Sequence, residues 1–165
     1  MKNVSSDGRV AGVSMRGDSG VPKFPQTQIR IGSHGVTGDF HEGQINKHKK
    51  VGAPEPNSRQ LTIVAKEALD HANSQLDISL IPGSVGENIL VEDMGLLENL
   101  VAGDQIFVGK NVALRVTGQN RPCATLNVYH DDIIRVLLGI RGVTAVVEHP
   151  GTVSPGDRVV VKSPS

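Results

Sequence analysis

Short β-branched runs, each cut off within a few residues by glycine or proline, are the feature that most limits how this chain can fold. Nineteen glycines and nine prolines fall among 165 residues, and both residue types punctuate a chain with tight turns. The runs lie at 9–15, 28–31, 61–64, 89–91, 105–108, 112–116, 142–147 and 158–161. Gln28-Ile29-Arg30-Ile31 alternates polar and apolar, the period of a half-buried strand. Gly109-Lys110-Asn111 reads as the hairpin turn between two of the runs. Helix formers dominate only at 65–73, where Ala65, Ala68, Leu69 and Ala72 share a face, and at 131–138. In the second stretch Asp131 and Asp132 suit a first turn, which favours acids through the helix dipole. Residues 94–100 read as a short helical turn and 151–157 as a plain turn. The pattern predicts a mostly β, α+β fold: a β-barrel of short strands with a few short peripheral helices.

A chain of 165 residues suits one domain spanning 1–165, with a polar N-terminus at 1–8 and a long loop at 32–58. Formal net charge is zero, and stacking aromatics amount to three Phe and one Tyr. That composition argues against nucleic acid as a partner. The lone cysteine rules out an internal disulfide and fits a reducing compartment. Residues 1–8 lack the apolar core of a signal peptide, and no apolar run is long enough for a bilayer. A soluble, cytoplasmic protein with no membrane partner is expected. Long loops such as 32–58 are usually functional or mobile.

The candidate chemistry centres on Arg121-Pro122-Cys123, just past the run at 112–116. Pro122 ends a strand ladder and holds the preceding residue extended, so the thiol is expected where a strand stops. Arg121 beside it would favour the thiolate. The competing reading is a small buried hydrophobe. His130 is the nearest histidine in sequence. His34, His41 and His48 are evenly spaced, but Gly35, Gly38 and Gly43 argue against the helix that would align them, so they read as a solvated loop. His41 alone, after Gly38-Asp39-Phe40, ends a segment able to fold over a site. Glu87 and Asn88, beside Gly83 and Gly86, read either as a turn with a cap or as a pocket lip. Arg141, before Gly142, reads either as a solvated helix-end cation or as an anion contact. The expectation is that Asn88, Cys123 and Arg141 converge on one concave surface.

Taken in order, a set of these pieces resembles the MOSC domain, named for the C-terminal domain of molybdenum cofactor sulfurase. The set comprises Gly83 with Gly86-Glu87-Asn88, Leu100 with Gly103-Asp104, Gly109, Arg121-Pro122-Cys123, Arg141-Gly142-Val143, and Gly151 with Pro155-Gly156-Asp157. Upstream, Gly35, Gly38-Asp39, His41, Arg59-Gln60-Leu61 and Glu67 are similar to the short stand-alone bacterial members. The resemblance implies a barrel-like fold and a role with the molybdenum cofactor (molybdopterin). It implies that Cys123 ligates molybdenum or carries sulfur as a persulfide, and that Arg121 or Arg141 holds the cofactor phosphate. Asn88, Glu87 and His41 are the further candidates for contact with the cofactor. Related proteins reduce N-hydroxylated compounds with electrons from a partner. One cysteine cannot build an iron–sulfur cluster, so such a reductase needs an external electron donor. No pyridoxal phosphate is expected on this chain, so a sulfur-carrier role needs a separate donor of the cysteine desulfurase type. The alternatives to a cofactor enzyme are a non-enzymatic sulfur or cofactor carrier, and a β-barrel binding module with a structural cysteine. The chain departs from longer members at 44–50, where Gln-Ile-Asn-Lys-His-Lys-Lys replaces their His-Gly-Gly run.

Overall fold

The structure, a computed structural model, describes residues 7–164. The strands are β1 (Asp7–Met15), β2 (Phe24–Gln26), β3 (Ile29–Gly32), β4 (Gly35–Val36), β5 (Leu61–Ala65), β6 (Ile89–Glu92), β7 (Gln105–Val108), β8 (Val112–Gln119), β9 (Val143–His149), β10 (Gly151–Val153) and β11 (Arg158–Lys162). The helices are α1 (Lys66–Leu76) and α2 (Ile133–Leu137), with a 3-10 turn at Ala124–Val128. Seven strands close on themselves in the order β1, β6, β5, β9, β8, β7, β11 and back to β1. Closure leaves these strands no open edge. Among the described strands only β5 and β6 pair in parallel, and the chain crosses between them through α1. A smaller sheet, β10-β3-β4, stands beside the barrel.

The β-branched runs become strands because the barrel wall needs their alternation. In β7, Ile106 and Val108 are buried while Gln105 and Phe107 are not. β5 is buried at every position, as befits a strand covered by α1 outside and the core inside. Ile63, Ile89, Ile106 and Leu114 are at most 1% exposed, and each such side chain contributes about 1.5–3 kcal/mol of burial. α1 buries Ala68, Leu69 and Ala72, the face that the spacing predicts.

Four expectations are corrected. Residues 94–100 form turns without a helix, because Asp93, Gly95 and Leu97 all take positive φ. Residues 151–153 form β10, which pairs with the distant β3. α2 begins at Ile133, so Asp131 and Asp132 precede it instead of filling its first turn. The long loop carries β4 and a ladder-like bridge between Ile45 and Pro56, with Asn46 N donating to Glu55 O at 3.0 Å. Of the polar N-terminus expected at 1–8, Asp7 and Gly8 already belong to β1, and the rest lies outside the described residues. No helix among the described residues is long and apolar enough to cross a membrane.

The registers line several strand ends up in one row across the barrel wall. Ile63 in the middle of β5 pairs with Ile89 at the start of the parallel β6 and with Val143 at the start of the antiparallel β9. Gln119 at the end of β8 also pairs with Val143, and Val13 near the end of β1 pairs with Ile89. The segments entering or leaving these strands therefore meet: Arg59, Asn88, the run at 120–123, and Arg141.

Candidate functional site

A cleft of about 490 Å³ opens beside this row, and Cys123, Thr125, Arg121 and Arg141 line one side of it. Arg59, Lys23, His41 and His48 line the rest. Cys123 is exposed. It caps the 3-10 turn with extended backbone, φ −130° and ψ 168°, as a residue following Pro122 readily does. Its Sγ lies 2.8 Å from the Thr125 hydroxyl. Burial pushes the thiol's pKa up, but the Thr125 hydroxyl and amide and the charge of Arg141 outweigh that, and the net direction is down. The cationic help expected from Arg121 thus comes from Arg141, while Arg121 gives its carbonyl to Arg141 and is among the residues lining the cleft.

Arg141 is only 7% exposed. Its Nη1 donates to Arg121 O at 2.7 Å and its Nη2 to Val85 O at 3.0 Å. Its buried Nε has no hydrogen-bond partner among the described residues. Gly142 behind it has φ +82°, and a Cβ there would strike the Ile63 carbonyl. Only glycine lets β9 approach β5 so closely while Arg141 turns to the cleft. Arg59 donates through Nη2 to Asn120 Oδ1 at 3.1 Å. Burial and the nearby Arg141 lower its pKa, with the Cys123 thiolate opposing.

Lys23, 3% exposed, is the buried anchor of the opposite wall. Its Nζ donates to Asp39 Oδ2 at 3.0 Å and Asn88 Oδ1 at 3.3 Å, and reaches His41 Nδ1 at 3.4 Å. Burial lowers its pKa, against the pull of Asp39. Burial opposes ionisation of Asp39 too, but His41 and Lys23 hold its carboxyl far below the usual range. His41 Nε2 meets His48 Nε2 at 3.0 Å. Four cations therefore face this cleft, and no carboxylate lines it among the described residues.

The expected convergence of Cys123 and Arg141 is present, and His41 joins them. Asn88 is placed one layer behind. It is fully buried, with Oδ1 accepting from Lys23 and Thr62 N and Nδ2 donating to Ser14 O and Asp39 Oδ1. Glu87 is also behind the wall, 1% exposed, with Oε2 accepting from Gly83 N at 2.7 Å. His130 does not line the cleft, and neither does His34, whereas His48, read as solvated loop, does. Lys23 and Thr125 carried no signal of their own chemistry. For Arg59 one existed: like Arg141, it is a cation just before a strand.

The match to known proteins agrees with this geometry. The MOSC domain family model matches residues 37–160, which takes in the cleft walls at His41, Arg59, Cys123 and Arg141. The chain belongs to the MOSC domain family. YuaD of Bacillus subtilis (strain 168) is 33% identical over 150 residues, covering 78% of this chain and 77% of that protein. Its curated name refers to metal-sulfur cluster biosynthesis. The crystal structure of YuaD superposes with a TM-score of 0.85 over 96% of this chain and 97% of its own, at 26% identity. YiiM of Geobacillus stearothermophilus shares the fold, with a TM-score of 0.66 at 16% identity, covering 97% of this chain and 75% of its own.

Proposed function

We propose that the cleft binds the molybdenum cofactor, with Cys123 as the thiolate ligand and Arg59, Arg121 and Arg141 around the anionic phosphate. The observation that carries this reading is the pairing of an exposed, acidified thiol with a carboxylate-free wall of cations, in a chain of zero net charge. The donor set fits the group. A thiolate is a soft ligand for a metal centre. Guanidinium forks match phosphate oxygens, and the buried Arg141 Nε lacks a partner that an anion would supply. Leaving a charged donor unpaired costs a few kcal/mol, so an occupied cleft should be the more stable state.

Bound there, the cofactor would supply two-electron chemistry toward N-hydroxylated compounds, using electrons from a separate donor protein. The chain's own residues bind and orient. Lys23, braced by Asp39 and Asn88, fixes the wall that carries His41, and Thr125 favours the thiolate form of Cys123. A second reading, a sulfur carrier loaded by a desulfurase-type donor, is favoured by the exposure of Cys123 and accords with the role in YuaD's curated name.

The test is metal and pterin analysis of protein made in a cofactor-competent host, beside Arg141→Gln. Cofactor binding predicts molybdenum approaching one per chain in the parent and clearly less in the variant. Absence of molybdenum, with a persulfide forming on Cys123 when a desulfurase is added, would instead establish the carrier reading.

A further inference from the structure

Resting on the reading of the cleft as an anion site, we propose that Glu87 is its positioning residue. The carboxyl lies behind the wall and acts through the turn at 83–87, which holds both Arg141 and the segment that bears Cys123.

The turn faces two ways. Inward, Gly83 N donates to Glu87 Oε2 at 2.7 Å. Outward, four consecutive carbonyls each take a donor from a different part of the site. Gly83 O accepts from Lys23 N at 2.8 Å and Ser84 O from the Tyr129 hydroxyl at 2.5 Å. Val85 O accepts from Arg141 Nη2 at 3.0 Å and Gly86 O from the Thr62 hydroxyl at 3.3 Å. Gly83 has φ +91°, and a Cβ there would strike the Lys23 carbonyl, so the turn sits this close to the Lys23 segment only as glycine.

These bonds fasten the thiol segment at both ends. Before Cys123, Arg121 O accepts from Arg141 Nη1 at 2.7 Å, and the same guanidinium reaches back to Val85 O. Past the 3-10 turn that follows Cys123, Tyr129 donates to Ser84 O. Gly83, Ser84 and Val85 are all buried, and a buried backbone N–H needs a partner. Without the Glu87 carboxyl, Gly83 N loses its acceptor. The turn then has to shift, and Ser84 O and Val85 O shift with it.

The position behind the wall has its own logic. Glu87 is 1% exposed, and its Oε1 has no hydrogen-bond partner among the described residues. The arginine donors of the cleft go elsewhere: Arg141 to two carbonyls and Arg59 to Asn120. A carboxylate forked onto Arg141 would compete with an oxyanion for the same N–H groups. Held behind the turn, Glu87 places the guanidinium through a peptide carbonyl and leaves its charge to the ligand.

The test reads iodoacetamide alkylation of Cys123 against pH, and arginine side-chain resonances with and without sulfate, on the full cofactor-free chain. In Glu87→Ala, alkylation at neutral pH slows about fivefold as the thiol midpoint moves back toward the free value, and the arginine response to sulfate weakens. Glu87→Gln, whose amide oxygen can still accept from Gly83 N, keeps both close to the parent. Ile106→Ala opens a cavity in the core but lines no part of the cleft, so it lowers stability and moves neither readout. Tyr129→Phe keeps Glu87 and cuts one fastening: alkylation slows while the response to sulfate persists. This variant decides the relay even where Glu87→Ala does not fold. Unchanged alkylation in Glu87→Ala or Tyr129→Phe, or equal slowing in Ile106→Ala or Glu87→Gln, would overturn the proposal. Parent arginines that ignore sulfate would remove the anion site, and the alkylation series would still decide whether Glu87 places the thiol.

Discussion

The two walls of the cleft are built on opposite principles. On one side, Cys123, Thr125 and Arg121 stand on an exposed rim between the end of β8 and a 3-10 turn, with a single short contact between Sγ and the Thr125 hydroxyl. On the other, Lys23, Asp39 and Asn88 are almost wholly buried and use their hydrogen-bonding capacity on one another and on the ends of β1 and β5. The difference separates chemistry from support. Changes on the rim should alter reactivity and leave the fold intact, while changes in the network should loosen the barrel wall itself.

The sharpest break in the comparison is Asp39→Ala. It leaves the Lys23 ammonium buried at 3% side-chain exposure without its counter-ion. Losing one partner of such a pair costs about 3–5 kcal/mol, read as a lower urea midpoint. Lys23→Met, which removes the charge along with its need for a partner, should cost less. If Asp39→Ala unfolds no more easily than the parent, the network is not the support described.

Glu87 sharpens the same wall through pH. Burial pushes its carboxyl up to about 7, against backbone N–H groups and the charge of Lys23 that favour the carboxylate. The folded chain thus holds this proton more tightly than the unfolded chain, whose glutamate titrates near 4.5. Stability from this group is therefore present at low pH and is lost as pH rises between about 4.5 and 7, by about 3 kcal/mol at 1.36 kcal/mol per pH unit. Asp39 has the opposite sign: its folded pKa is depressed, so its contribution is present above the usual carboxylate range and is lost on acidification below it. In Glu87→Gln the decline between pH 5 and 7 should flatten, as measured by denaturant unfolding across that range. An unchanged slope would contradict the assignment.

Thr125→Val on the rim should have the smallest effect. Stability should stay within about 0.5 kcal/mol, as for exposed sites. The thiol should lose its closest hydrogen-bond partner, its pKa should rise, and alkylation at neutral pH should slow a few-fold.

This contrast also marks what the sequence could say. Rim residues were legible, because Arg121, Cys123 and Arg141 sit beside Pro122 or Gly142 at strand ends, and turn chemistry is local. Most strands and the buried face of α1 were legible for the same reason. The network was not. Asn88 and Glu87 stood out beside Gly83 and Gly86, but nothing local says that they point behind the cleft instead of into it. Lys23 meets Asp39 and Asn88 only through closure of the barrel and the fold of the loop. His48 meets His41 only because Asn57 clamps a loop whose glycines argued against any alignment. β10 escaped notice because its pairing partner β3 lies far off in sequence, Gly151 pairing with Ile31.

The most direct measurement compares Cys123→Ser with the parent for molybdenum content, thermal midpoint and alkylation in a cofactor-competent preparation. Sulfur to oxygen is a small change in volume, but serine is no thiolate and a poor soft ligand. The account predicts that molybdenum is lost in the variant while the thermal midpoint barely moves, and that the empty parent alkylates faster at neutral pH than a model thiol. A variant that keeps its molybdenum, or a parent thiol that resists alkylation until the chain unfolds, would contradict it.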